Sequence, residues 1–159
     1  DRYAAMPLLQ PLSGASLLVL MAGWPLAVPA MTAVALLLVA LADVPAADAL
    51  HRLVWLGLVP GTLVLGLGAA MRRWLPRHLF IYIFVRGFFA TLLAGAASGV
   101  TEALLFGPPH GLGAGELMIG RWLAAWSDAI ITGMLVSVFV AFRPDWLATY
   151  ADRIYLPRD

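Results

Sequence analysis

The chain has 159 residues, of which 62% are hydrophobic and 12% charged, with a formal net charge of +1 and a mean hydropathy of +0.90. A soluble domain is nearer half apolar and a quarter charged, so this composition is that of an integral membrane protein. The absence of cysteine excludes disulfides, zinc thiolate sites and iron–sulfur clusters, and no basic patch or motif points to nucleic acid. All ten basic residues are arginine, which GC-rich codon usage explains better than a need for guanidinium groups. The first residue is Asp1 rather than Met, so a processed or incompletely represented chain is expected.

After a mixed lead-in over residues 1–10, the sequence runs from Pro11 to Leu41 without a charge. That is too long for one comfortable span, and Gly23, Pro25 and Pro29 interrupt it. Two segments are expected, 11–23 and 25–42, turning at Gly23-Trp24-Pro25. One kinked and tilted helix of about 30 residues is the alternative. A turn with Asp43 and Asp48 leads to a third segment, 49–71, which carries Pro60. The stretch 72–78 is the dense basic loop, followed by a fourth segment, 79–106. The loop 107–115 has no arginine and leads to a fifth segment, 117–142. The expected fold is thus all-α: a polytopic transmembrane bundle of about five segments over 1–142, with a tail over 143–159. Trp146, Leu147, Tyr150 and Ile154 share one helical face there, which predicts a short helix lying on the membrane surface.

Arginine asymmetry orients the bundle. Arg72, Arg73 and Arg77, with Arg143, Arg153 and Arg158 of the tail, are expected in the cytoplasm, and loop 107–115 outside. Trp74 and Trp146 then suit the inner interface and Trp122 the outer one. Small residues recur four apart, as at Gly57 and Gly61, Ala94 and Ser98, Gly95 and Gly99, and Gly133 and Ser137, which allows helices to approach closely in lipid.

Four charges fall inside the fourth and fifth segments. A helix rises about 1.5 Å per residue, so Arg86 lies about 11 Å from the cytoplasmic end of the fourth segment and Glu102 about 35 Å. Counted up from Phe142, Asp128 lies about 21 Å and Arg121 about 32 Å above that end. Glu102 and Arg121 share a level and are expected to bridge. Arg86 and Asp128 differ by about 10 Å in height, which a long arginine side chain partly closes. Charges within a membrane are expensive unless paired, so each pair is read either as a polar site or pathway between segments four and five, or as an ion pair fixing helix register. The second reading is the stronger for Glu102–Arg121.

His51, His78 and His110 lack metal-ligand spacing and read as interfacial residues. The six methionines form no cluster and read as packing. No nucleophile with a base, no phosphate loop and no carboxylate pair spaced for hydrolysis is recognisable, so neither an enzyme nor a bound cofactor is expected.

Three stretches carry a resemblance: SGASLLVLMAGWPLAV over 13–28, LPRHLFIYIFVRGFF over 75–89, and SDAIITGMLVSVFVAFRPDWLATYADRIYL over 127–156. In that order they resemble a bacterial membrane family, the energy-coupling-factor ABC transporter permeases, related to the cobalt/nickel-uptake substrate-binding components. The tail within the last stretch is the most specific piece. The resemblance implies an α-helical bundle in the bacterial inner membrane that captures a divalent metal ion beside a transmembrane coupling subunit and cytoplasmic ATPases. In such proteins an amino-terminal Met-His segment and a His-Leu-Leu-Gly motif hold the metal. The sequence from Asp1 shows no such amino-terminal segment and reads Leu12-Ser13-Gly14-Ala15 at the motif, and by the resemblance it is expected to begin after the first one or two family helices. No metal ligand is therefore carried over. Asp128 agrees with an acidic position of the family, whereas Arg86 stands where the family often has an uncharged polar residue, and an arginine there repels a divalent cation.

Three functions follow as expectations. The first is the substrate-binding permease component that the resemblance implies. The second is a non-transporting accessory or assembly subunit of a larger membrane complex, favoured by the missing histidines and by Arg86. The third, weaker, is a carrier that recognises an anionic group at Arg86.

Overall fold

The computed structural model describes residues 13–74, 78–107 and 113–150, which form five helices and no strand. These are α1 (Ala15–Ala22), α2 (Trp24–Leu41), α3 (Ala46–Trp74), α4 (Leu79–Phe106) and α5 (Ala114–Phe142). The last four are long and apolar enough to cross a membrane, which is the architecture of a multi-pass membrane protein. The eight residues of α1 extend about 12 Å, under half of a hydrocarbon core of about 30 Å. The bundle of about five segments is present as five helices, of which, among the described residues, four are long enough to span and α1 is a half-helix. Residues 11–12 of the expected first segment lie outside the described residues.

The run before Asp43 is two helices rather than one. Gly23 sits at φ 73° and ψ 167°, a conformation open to glycine and strained for other residues, and it ends α1. Pro25 then falls in the first turn of α2, where a missing N–H costs nothing.

Contacts give the directions of the helices. A Cβ on Gly87 would lie 3.3 Å from Val136, one on Gly95 3.3 Å from Ala125, and one on Gly99 3.2 Å from Arg121, so α4 and α5 run antiparallel. Across α3 and α4, His51 meets Glu102, Trp55 meets Ser98 and Gly68 meets Arg86, which is antiparallel again. Along α3, Leu56 meets Ser13 and Gly61 meets Val19, so α1 runs parallel to α3. Met31 lies against Gly57 and Trp24 against Gly61, so α2 runs back the other way. The hairpin of α1 and α2 therefore re-enters the bundle, and α1 begins in its middle. The same contacts show what the small residues do: Gly57, Gly61, Gly95 and Gly99, with Gly133 against Phe88, all stand where a neighbouring helix comes within about 3.3 Å of a Cβ position. By contrast α2 buries only Ala27 and Met31 and exposes Leu26, Leu36, Leu37 and Leu41.

The tail departs from the expected surface helix. Pro144–Trp146 makes one tight turn, after which Leu147 and Tyr150 enter the bundle, at 1% and 8% exposure, while Trp146 stays outside. The cause lies at the end of α1. Pro25 has no N–H to give the Met21 carbonyl, and the break at Gly23 takes the chain away from the Leu20 carbonyl. The tail supplies both: the Ala148 N–H donates to Met21 O at 2.9 Å and the Thr149 hydroxyl to Leu20 O at 3.1 Å. With its proton so used, Thr149 Oγ1 accepts from the Tyr82 hydroxyl at 2.8 Å. Ile154, Arg153 and Arg158 lie outside the described residues.

Because the chain has no cysteine, this clasp is open to a clean test. Met21→Cys combined with Ala148→Cys is expected to cross-link on mild oxidation in membranes. A tail lying on the surface would leave both thiols free to alkylation. Leu147→Ala is expected to cost about 2–5 kcal/mol of unfolding free energy in bicelles, the range for truncating a buried leucine.

Candidate functional site

Pro60 shapes the centre of the bundle. Lacking an N–H, it leaves Leu56 O without the donor four residues on. It also breaks the π-helical turn Leu53–Leu58, in which Val59 N–H bonds Val54 O, so Trp55 O lacks its donor too. Two serines from other helices replace them. Ser13, just ahead of α1, donates to Leu56 O at 2.5 Å, and Ser98 of α4 donates to Trp55 O at 2.7 Å.

Asp128 faces the same place. It is the middle residue of the 29-residue α5, as far from Ala114 as from Phe142. Its Oδ1 accepts the Gly14 N–H at 3.2 Å, so the amino-terminal end of the half-helix points at the carboxylate. Gly14 itself holds φ 59°, a left-handed turn that lets Ser13 and the start of α1 converge here. Between them lies a hollow of about 10 Å³ lined by Ser13, Leu56, Pro60, Gly95, Ser98 and Asp128, with Ala124 and Ala125. A larger apolar groove of about 510 Å³ runs among α1, α2 and α3, and Ser13 and Leu56 form the wall that the two spaces share.

The expected Arg86–Asp128 pair is not formed. Among the described residues Arg86 has no carboxylate within 4 Å; its guanidinium lies against Gly68, where a Cβ would come within 2.9 Å of Nε, and 5.7 Å from the centre of the Tyr82 ring. It is 4% exposed, and among the described residues its Nε and Nη1 have no hydrogen-bond partner. Height along the helices explains the separation: a gap of about 10 Å is more than the side chain closes while it stays packed on Tyr82. Asp128 finds backbone N–H instead.

Glu102 and Arg121 do meet, at 2.5 Å between Oε2 and Nη1, and both side chains are nearly buried. The contact is one of charge more than of aligned donors, since Glu102 Oε2 and Arg121 Nε make no directed hydrogen bond. A third member was missed in the sequence. His51 Nε2 lies 2.7 Å from Glu102 Oε1, with its ring on the edge of Phe106. The signal was its level: five residues inside α3, His51 lies about 8 Å from the end of its helix, while Glu102 lies about 6 Å from the end of α4. This cluster ties α3, α4 and α5 together at one end of the bundle, away from Asp128. Among the described residues no three His, Cys, Asp or Glu side chains gather as a metal-holding group; His110 and Met6 lie outside those residues.

Comparisons of the chain with protein families, with curated proteins and with solved structures gave no match.

The two charged regions predict opposite behaviour. Glu102→Gln leaves Arg121 buried without its partner and is expected to cost about 3–5 kcal/mol in reversible unfolding, with Arg121→Met in the same background recovering part of the loss. Arg86→Met removes a guanidinium with two unsatisfied nitrogens and is expected to be neutral or to stabilise by about 1–3 kcal/mol. Arg86→Met and Asp128→Asn are expected to be additive within about 0.5 kcal/mol, as for residues that share no partner.

Proposed function

We propose that the chain is the membrane component of an energy-coupling-factor ABC transporter for divalent metal ions, working with a transmembrane coupling subunit and cytoplasmic ATPases. The resemblance over 13–28, 75–89 and 127–156 supports the family. The observation that supports a carrier is the Asp128 centre, to which the divalent cargo itself is not assigned: a half-helix ends on a carboxylate in mid-bundle, beside carbonyls that a proline has freed. Interrupted helices that bring helix ends and unpaired carbonyls to the bilayer midplane are how membrane carriers build substrate and ion sites. A pair that served only to fix register would show two opposite charges in contact, and Asp128 has no such partner within 4 Å among the described residues. The proposed setting is the bacterial inner membrane with the carboxy terminus in the cytoplasm, an orientation that Arg72, Arg73 and Arg143 support.

A second reading, an accessory subunit of a larger membrane complex, is favoured by Arg86, a buried positive charge that a metal carrier has no use for. Purification of the tagged chain from its native membrane separates the two. Recovery together with a coupling subunit and ATPases is the expected result. A stable complex containing no ATPase would support the accessory reading and sink the first.

A further inference from the structure

We propose that the hollow beside Asp128 binds one sodium ion, which fastens the half-helix α1 into the bundle. The inference rests on the Asp128 centre being a binding site and not on any transporter partner or cargo.

The polar groups lining the hollow all present oxygen. Ser13 Oγ has spent its proton on Leu56 O and Ser98 Oγ on Trp55 O, so both hydroxyls turn only lone pairs to further partners, and Ser13, which also accepts the Ala15 N–H at 3.1 Å, keeps one. The Leu56 carbonyl accepts one bond and keeps a second lone pair. Asp128 uses Oδ1 for Gly14, and its carboxylate lines the hollow, where every further bond it makes is as an acceptor. The remaining lining residues, Pro60, Gly95, Ala124 and Ala125, offer no side-chain donor. A guest surrounded by acceptors alone is a cation, or a water able to answer only two of them.

The donor set and the charge select among cations. Oxygen without imidazole or thiolate suits hard ions and disfavours nickel, cobalt, copper and zinc. One carboxylate gives the site a single negative charge, which a monovalent ion cancels and a divalent ion overshoots inside a bilayer. Magnesium keeps several waters and calcium takes about 6–8 oxygens, more than these lining residues supply. A hollow of about 10 Å³, near the room that one water needs, suits sodium better than the larger potassium ion. The sodium ligands would come from the start of α1, the unwound turn of α3, α4 and α5, so the ion ties four elements at the level where α1 begins.

The test uses the full chain, purified in sodium-free choline buffer and reconstituted into nanodiscs, with thermal unfolding and radioactive sodium binding as readouts. The expected result is saturable binding of one sodium per chain and a rise in Tm that equal concentrations of potassium or choline chloride do not produce. Asp128→Asn is expected to abolish both, and Ser98→Ala to weaken sodium about fivefold, the loss of one neutral ligand. An equal rise in Tm with all three salts, or a wild-type sodium response in Asp128→Asn, would overturn the proposal. Should Asp128→Asn not fold, Ser98→Ala decides, and an unchanged sodium affinity there also overturns it. Loss of the ATPase partners in purification would leave the sodium result standing, so the two readings fail separately.

Discussion

Inside a bilayer no water answers a free carbonyl, and that constraint organises this bundle. Pro25 and Pro60 each withhold a donor from a carbonyl behind them, and each of those losses is made good by another part of the chain. Pro25, with the break at Gly23, frees Leu20 O and Met21 O, and the tail after α5 covers them. Pro60 frees Trp55 O and Leu56 O, and Ser98 and Ser13 cover those. An unmade bond of this kind costs several kcal/mol in hydrocarbon, more than most side-chain contacts contribute. The hydrogen bonds that define the tertiary structure are therefore located by the sequence positions of the helix breakers. Small residues then set how closely the helices lie, and apolar packing fills what remains.

One consequence is that α1, too short to span, is held at both ends by groups outside itself. Its amino-terminal end rests on Asp128 and Leu56, and its carboxy-terminal end on Ala148 and Thr149. The tail and the carboxylate centre are thus linked through about 12 Å of rigid helix. The tail stretch that carried the family resemblance in the sequence is, in its described part, the piece that closes this link.

Much of this was legible beforehand, and the misses have physical causes. Hydropathy and the breakers located the four spanning helices, because length and apolarity decide spanning almost alone. Helix rise put Glu102 beside Arg121, since both are fixed near helix ends. The same rise leaves Arg86 and Asp128 about 10 Å apart in height, a gap that the cost of two lone charges does not close. A backbone N–H at a helix start satisfies a carboxylate as well as a guanidinium does, and nothing in residue spacing announces it. The tail was misread for a related reason: its aromatic and apolar residues fit a surface helix by period, but the unpaired carbonyls of α1 lie well over a hundred residues away in sequence. His51 was passed over because a lone histidine carries no spacing signal; its partner is on another helix at the same height.

Arg86 bears on what charge the centre tolerates. Two unit charges about 10 Å apart interact by about 1.7 kcal/mol at an effective dielectric constant near 20. A monovalent ion at Asp128 would feel about that repulsion from Arg86, and a divalent ion about twice it. The attraction of an ionised carboxylate in direct contact is larger than either. Once it is offset, however, a divalent guest retains a net positive charge that faces the guanidinium with no second carboxylate paired to either among the described residues. A monovalent guest retains none. Arg86 and the single carboxylate thus act in the same direction, and the residue that weakened the case for a divalent metal is compatible with a monovalent one.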